Sequence, residues 1–193
     1  MTNSPISPTM KNLPWLFLTA AIIVMALAMY LQGRLWICAC GYVLPWSGDI
    51  NGPGNSQHVF DPYTFTHVIH GFLFFAGIQL LWPRIDETWK FAAALSLEAV
   101  WEMIENSSYV INRYRSETLA IGYTGDTIVN SIGDLLACAL GIILARRLGV
   151  RRTVVLALAI EAILLVTVRD NLLLNILMLL YPIEAIRAWQ SGH

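Results

Sequence analysis

Long apolar runs separated by short polar clusters dominate this chain. Residues 13–31 run without a charge, between Lys11 and Arg34. Residues 64–82 hold no formal charge, and their two histidines, His67 and His70, lie near the start. Residues 127–145 carry a single acid, Asp134, and stop at Arg146 and Arg147; residues 153–168 carry only Glu161. Residues 89–106 have the apolar spacing of a helix but include Glu98, Glu102 and Glu105. A shorter stretch, 172–186, is interrupted by Pro182. A helix needs about 20 apolar residues to cross a bilayer core. The pattern therefore predicts an all-α, polytopic transmembrane helix bundle of five to six spans. It forms one domain over 13–189, with an outer loop at 35–63 and a flexible, Ser/Thr/Pro-rich cytoplasmic N-terminus at 1–12.

Composition agrees. Of 193 residues, 56% are apolar and 13% charged, and the mean hydropathy is +0.59. An average soluble domain is about one quarter charged. The net charge of −1 and the lack of a basic stripe argue against a nucleic-acid partner. Ala26-Leu27-Ala28 mimics a signal-peptide cleavage site, but the apolar run continues to Leu31, so the first segment reads as a retained anchor.

Basic residues orient the bundle. With the N-terminus inside, the inner segments hold Lys11, Arg84, Lys90, Arg146, Arg147, Arg151, Arg152 and Arg187. The outer segments hold Arg34, Arg113, Arg115 and Arg169. The excess inside fits the positive-inside rule for a bacterial inner membrane. If the sixth span crosses fully, both termini are cytoplasmic.

This topology gathers the unusual polar residues in one leaflet, away from the cytoplasm. His67 and His70 share a helix face; Glu98, Glu102 and Glu105 form a stripe; Asp126, Thr127, Asn130, Ser131 and Asp134 form a third. Ionisable groups within membrane spans are expensive and normally face a bundle interior or a wet cavity. Two imidazoles and several carboxylates suit zinc or another divalent metal, with His67, His70, Glu102 and Asp126 as candidate ligands. Glu102, Glu105 and Asp126 are candidate catalytic carboxylates. Arg113, Arg115 and Arg169 are candidates for a substrate or lipid headgroup, and Asn130, Asp134, Asn171 and Asn175 read as structural polar residues. Gly71, Gly77, Gly133 and Gly141 suit close helix contact. The outer loop, with its aromatics, prolines and glycines, reads as a lid over the cluster. Its Cys38 and Cys40 are compatible with a disulfide, two thiols or a metal contact, whereas Cys138 reads as a small packing residue.

Several segments carry a family resemblance. They are Ser56-Gln57-His58, Asp61-Pro62-Tyr63-Thr64, His67-Val68-Ile69-His70-Gly71-Phe72, Trp101-Glu102-Met103-Ile104-Glu105-Asn106, Arg113-Tyr114-Arg115, Gly125-Asp126 with Asn130-Ser131, and Arg169-Asp170-Asn171 with Leu174-Asn175. In order and spacing, from about Arg34 to Gln190, they resemble a family of multi-pass inner-membrane proteins of alphaproteobacteria that carries a domain-of-unknown-function label. The resemblance implies location and no activity. A weaker likeness over residues 61–141 is to VanZ-like membrane proteins, although the Lys that follows the first acid there is missing here.

Three function classes follow from the residues. The first is a metal-dependent enzyme acting on a lipid or amphiphile. The second is a transporter using Glu98, Asp134 and Glu161, and the third is a non-catalytic assembly or interaction protein in the bilayer. The topology is testable with a reporter enzyme active only outside the cytoplasm. Fused within 36–60 it is expected to be active and at 148–150 silent; the reverse pattern overturns the orientation.

Overall fold

The computed structural model describes residues 8–118 and 122–191. The described residues are all-helical, in seven helices: α1 (Pro8–Leu31), α2 (Thr64–Leu81), α3 (Glu87–Glu105), α4 (Ser108–Glu117), α5 (Ile128–Thr167), α6 (Leu172–Leu180) and α7 (Glu184–Gln190). Helix α1 already takes in part of the segment expected to be flexible, and residues 1–7 of that segment lie outside the described residues.

Among the described residues, three helices are long and apolar enough to cross a membrane: Asn12–Leu31, Thr64–Leu81 and Ile128–Thr167. The five-to-six count differs from this for physical reasons at three places. First, α5 has 40 residues but breaks at Gly149, whose φ of 73° is left-handed, so it comprises two arms, 128–148 and 150–167. The second arm folds back, since Leu144 and Ala145 of the first and Leu156, Ala157 and Ile160 of the second all pack against the same cluster of Val68, Ile69, Phe72, Ala137 and Leu172. Second, α3 has spanning length but brings its glutamates into the bundle. Third, the sixth expected span is not one helix. Helix α6 has nine residues, about 14 Å at 1.5 Å per residue, and Pro182 separates it from α7.

The C-terminal part instead doubles back. Gln190 Nε2 donates to Asp170 Oδ1 at 3.1 Å, and Arg169 donates to the Trp189 carbonyl at 3.3 Å. At the other end of the chain, Gln32 Nε2 donates to the Met103 carbonyl at 3.1 Å, so the end of α1 meets the end of α3. Pro8 and Gln190 therefore sit at opposite ends of the bundle, unlike the two-termini-together expectation tied to a full sixth crossing.

Caps set the helix starts. Asp86 accepts from Thr88 N at 2.8 Å, Thr127 from Asn130 N at 3.3 Å and Asn171 from Leu174 N at 2.9 Å. Glu161 adds to the last of these, accepting from Leu172 N and Leu173 N at 3.1 Å each. A carboxylate at a helix N-terminus satisfies orphan N–H groups and the dipole together.

The main core joins Met25 and Met29 of α1, Ile78 of α2, Ala92, Leu95 and Ala99 of α3, and Leu135, Cys138 and Ile142 of α5. Cys138 is a fully buried free thiol, as a packing residue should be. Outward, Leu16, Leu80, Leu81, Val155, Leu158 and Val166 are all exposed. A water-facing monomer does not present so continuous an apolar surface.

Helices α2 and α5 approach backbone to backbone. A Cβ at Gly71 would fall on the Cys138 carbonyl and lie 2.8 Å from Ile142 N; one at Gly141 would fall on the Val68 carbonyl. Gly133 meets the Val59 carbonyl of the outer loop in the same way. Gly77, expected to act likewise, has open space around it. The contrast is testable by thermal unfolding in detergent. Gly71→Ala is expected to destabilise by about 1–3 kcal/mol, the range for overpacking a tight contact. Gly77→Ala is expected to be neutral or slightly stabilising, and equal effects would contradict the close approach.

Candidate functional site

Helix periodicity brings the polar stripes face to face. His67 and His70 lie one turn apart on α2 and meet Glu98 of α3. One oxygen of Glu98 contacts His67 Nδ1, and the other lies 3.0 Å from His70 Nδ1. Glu98 is 0% exposed, so a single carboxylate bridges two imidazoles inside the bundle. An ionised carboxylate accepts from a ring that carries Nδ1–H, and the same nitrogen can instead ligate an ion when it carries no proton. The His70 ring also packs edge-on against Trp101, with centroids 5.6 Å apart.

Glu102, one turn along α3, has a different environment. It is 0% exposed, its Oε1 lies 3.5 Å from His67 Nδ1, and neither oxygen has a hydrogen-bond partner. Asp134 of α5 sits with Oδ2 at 3.8 Å from His67 Nε2, while its Oδ1 has no partner. Burying a carboxylate without a partner is expensive.

Nearer the outer loop, a second tier is fully hydrogen-bonded. Asp126 accepts from Asn106 Nδ2 at 2.7 Å and from the Tyr123 hydroxyl at 2.9 Å. Its backbone N–H donates to Asn106 Oδ1 at 2.7 Å. Asp61 accepts from Ser56 N at 3.0 Å and Tyr63 N at 2.8 Å. Burial raises the pKa of both acids, and these hydrogen bonds oppose the rise. Asp170 accepts from the Tyr63 hydroxyl at 3.0 Å as well as from Gln190; burial pushes it up to about 6 despite these donors. Glu105 accepts from the Tyr114 hydroxyl at 3.0 Å.

His67, His70, Glu105, Asp134 and the second-tier acids Asp61, Asp126 and Asp170 line one cavity of about 130 Å³, whose wall does not include Glu98 or Glu102. Its floor is His67, His70 and Asp134, and its rim includes Asn51, Asn55 and Ser56 of the outer loop. The loop thus lies over the cluster as expected. It is anchored there by Asn130 Nδ2, which donates to the His58 carbonyl at 2.8 Å, and by Gln57 Nε2, which donates to the Gly125 carbonyl at 2.9 Å. Two non-glycine residues on the cavity wall, Ser56 and Arg169, have left-handed φ values of 58° and 55°. Asn175 lines the wall from α6, while Asn171 is spent on capping it.

Within this cluster, and among the described residues, two groups have ligand atoms close enough to share a metal ion: His67, His70 and Glu98, and His67, Glu102 and Glu105. The unpartnered oxygens of Glu102 fit a cation there. Three of the four expected ligands, His67, His70 and Glu102, thus fall in these groups, and Glu98 joins them. Sequence periodicity puts Glu98 in the stripe, where its depth suits either a protonated, hydrogen-bonded acid or a step on a transport path. Asp126 lines the same cavity and is held by Asn106 and Tyr123 instead.

Each of the three arginines expected at a headgroup hydrogen-bonds a backbone carbonyl. Arg113 Nε donates to the Leu179 carbonyl at 2.9 Å and its guanidinium pairs with Glu117 at 3.1 Å. Arg115 donates to the Tyr123 carbonyl. Arg169 alone of the three lines the cavity, as an exposed side chain at its rim. Glu161, considered for a proton path, is spent on capping α6. Cys38 and Cys40 form a disulfide, with Cα atoms 5.1 Å apart, close to His58. That selects one of the three states their sequence leaves open.

Comparison with known proteins places the chain. Residues 29–192 match the family model described as "Protein of unknown function (DUF2585)". A UPF0314 protein of Sinorhizobium fredii is 48% identical over 181 residues, covering 92% of this chain and 92% of its own. Another from Brucella anthropi is 44% identical over 177 residues, covering 92% and 90%. A third, from Novosphingobium aromaticivorans, is 44% identical over 177 residues, covering 89% and 88%. No solved structure matches the chain. With its family model spanning the bundle and the whole site, the chain belongs to the DUF2585 family of proteins of unknown function.

Proposed function

We propose that this protein is a multi-pass protein of the bacterial inner membrane and a divalent-metal-dependent enzyme acting on a lipid or other amphiphile at the outer leaflet. The membrane reading rests on α1, α2 and the two arms of α5, apolar and of spanning length, and on the many exposed large hydrophobic side chains. The orientation rests on charge. With the C-terminal part doubled back, seven basic residues fall on the inner side and five on the outer, and four of the seven crowd the Gly149 turn. The site then opens outward.

One observation carries the enzyme reading: the buried carboxylate of Glu102, without a hydrogen-bond donor, beside two imidazoles already committed to Glu98. Glu98, Glu102 and Asp134 bring up to three negative charges to His67 and His70. Among the described residues no lysine or arginine is hydrogen-bonded or ion-paired to this trio. The centre needs added positive charge, as protons or as a metal ion, and the donor set of imidazole and carboxylate suits zinc or a similar divalent ion. His67, His70 and Glu98 would hold it, with Glu102 next to His67 as a further donor, and such an ion would lower the pKa of a bound water toward neutrality. Glu105 and Asp126, on the cavity wall, are placed to exchange protons with a substrate. The outer loop excludes bulk solvent, and α6 lines the cavity with Leu172, Ile176 and Leu179, a surface for an acyl or alkyl chain.

Two measurements check this reading. A reporter fused after Gln190 is expected to be active outside the cytoplasm, and a silent one contradicts the outward placement of the doubled-back segment. In detergent at pH 7.5, Zn²⁺ at about 100-fold excess over its Kd is expected to stabilise the protein by about 2.7 kcal/mol. That is roughly 5–10 °C in Tm for a chain of this size. The shift should grow as pH rises, because the ligands must lose their protons to bind. His70→Ala and Glu102→Gln are expected to erase the shift, and Glu117→Gln to keep it. No zinc-dependent shift in the wild type, with both site variants simply less stable, would favour a scaffold role.

A further inference from the structure

We infer that the cavity over this centre receives a cationic headgroup, an amine or quaternary ammonium, so that the amphiphile is a cationic one. This names the substrate class of the enzyme proposed above; catalysis rests on that reading, while the binding can be measured apart from it.

Three tyrosines on the cavity wall share one arrangement. The hydroxyls of Tyr63, Tyr114 and Tyr123 donate to Asp170, Glu105 and Asp126, at 3.0, 3.0 and 2.9 Å. They come from three different segments, the start of α2, α4 and the strand of loop before α5. Donating a proton toward a carboxylate pushes electron density back into the ring, which strengthens its attraction for a cation. The rings of Tyr114 and Tyr123 meet edge to face, with centroids 5.5 Å apart. Trp101 joins them on the wall, and its indole Nε1 has no hydrogen-bond partner. Aromatic rings backed by carboxylates are the surroundings in which desolvated ammonium groups bind best.

The charge inventory gives the same sign. The wall carries Asp61, Glu105, Asp126, Asp134 and Asp170 against His67, His70 and the rim residue Arg169. Asp134 is 4% exposed, lines the cavity and has an oxygen without a partner, so the site offers an acceptor in want of a donor. An anionic headgroup would find the reverse. The guanidinium groups of Arg113, Arg115 and Arg169 are turned to the carbonyls of Leu179, Tyr123 and Trp189.

The test compares three six-carbon probes on the full protein in a neutral maltoside detergent, with EDTA present. Hexyltrimethylammonium, hexyl sulfate and hexanol share a chain and differ in head charge. Binding is read by tryptophan fluorescence and by Tm. The ammonium probe is expected to bind at least tenfold more tightly than either of the others. Tyr123→Leu is expected to weaken it several-fold, in line with loss of a buried cation–π contact, and Asp170→Asn to weaken it while keeping the side chain's shape. Equal binding of the three probes by the wild type, or preference for the sulfate, overturns the inference whatever the variants do. Ammonium binding without any zinc-dependent stabilisation would uphold the headgroup site and remove the metal. Zinc stabilisation without ammonium preference would do the opposite.

Discussion

A carboxylate shared by two imidazoles, deep between α2 and α3, governs how the rest of the bundle is arranged. Glu98 can be buried at 0% exposure only because His67 and His70 both reach it. In a bilayer, apolar faces gain little from leaving lipid for one another, so helix association depends on close packing and on polar contacts between helices. The His–Glu contact supplies the polar part for α2 and α3. Gly71 and Gly141 supply the packing part for α2 and α5, by letting bare backbones meet. With those two contacts set, Glu102 and Asp134 are brought to His67 without donors of their own, and the demand for positive charge follows from the packing.

Much of this was legible in the sequence. Apolar runs of spanning length marked α1, α2 and both arms of α5, and the three-residue spacing of His67 and His70 gave their common face. The four-residue step from Glu98 to Glu102 gave the facing stripe. Periodicity reports a face and not a partner, which is why Glu98 suits a protonated acid or a transport step in the sequence although it is the bridge between the histidines. The arginines show a related limit. A guanidinium near a polar cluster is equally suited to an anion and to a backbone carbonyl, and only the chain path shows that the carbonyls of Leu179, Tyr123 and Trp189 are in reach.

The last third of the chain was harder. Residues 172–186 are apolar enough to suggest a crossing, and Pro182 signalled a break without saying which way the chain leaves it. Asp170 decides the direction by accepting from Tyr63 and Gln190 together, residues distant in sequence from each other. Glu161 shows the same limit. Mid-span acids invite a transport reading, yet this one serves the exposed N–H groups at the start of α6, a helix too short to be anticipated as one.

The doubled-back α6–α7 segment also imposes an order on biogenesis. The histidines and glutamates of the centre lie on α2 and α3 and leave the ribosome well before α6, and chains fold broadly from the N-terminus as they are made. Until α6 has been synthesised and its start engaged by Glu161, the cavity has no wall on that side and stands open to its surroundings. Any ion or headgroup arriving during insertion meets an unwalled basin, whereas one arriving later must pass the outer loop or displace a nine-residue helix. A chain truncated before Leu172 would keep every ligand of the centre and lose its enclosure.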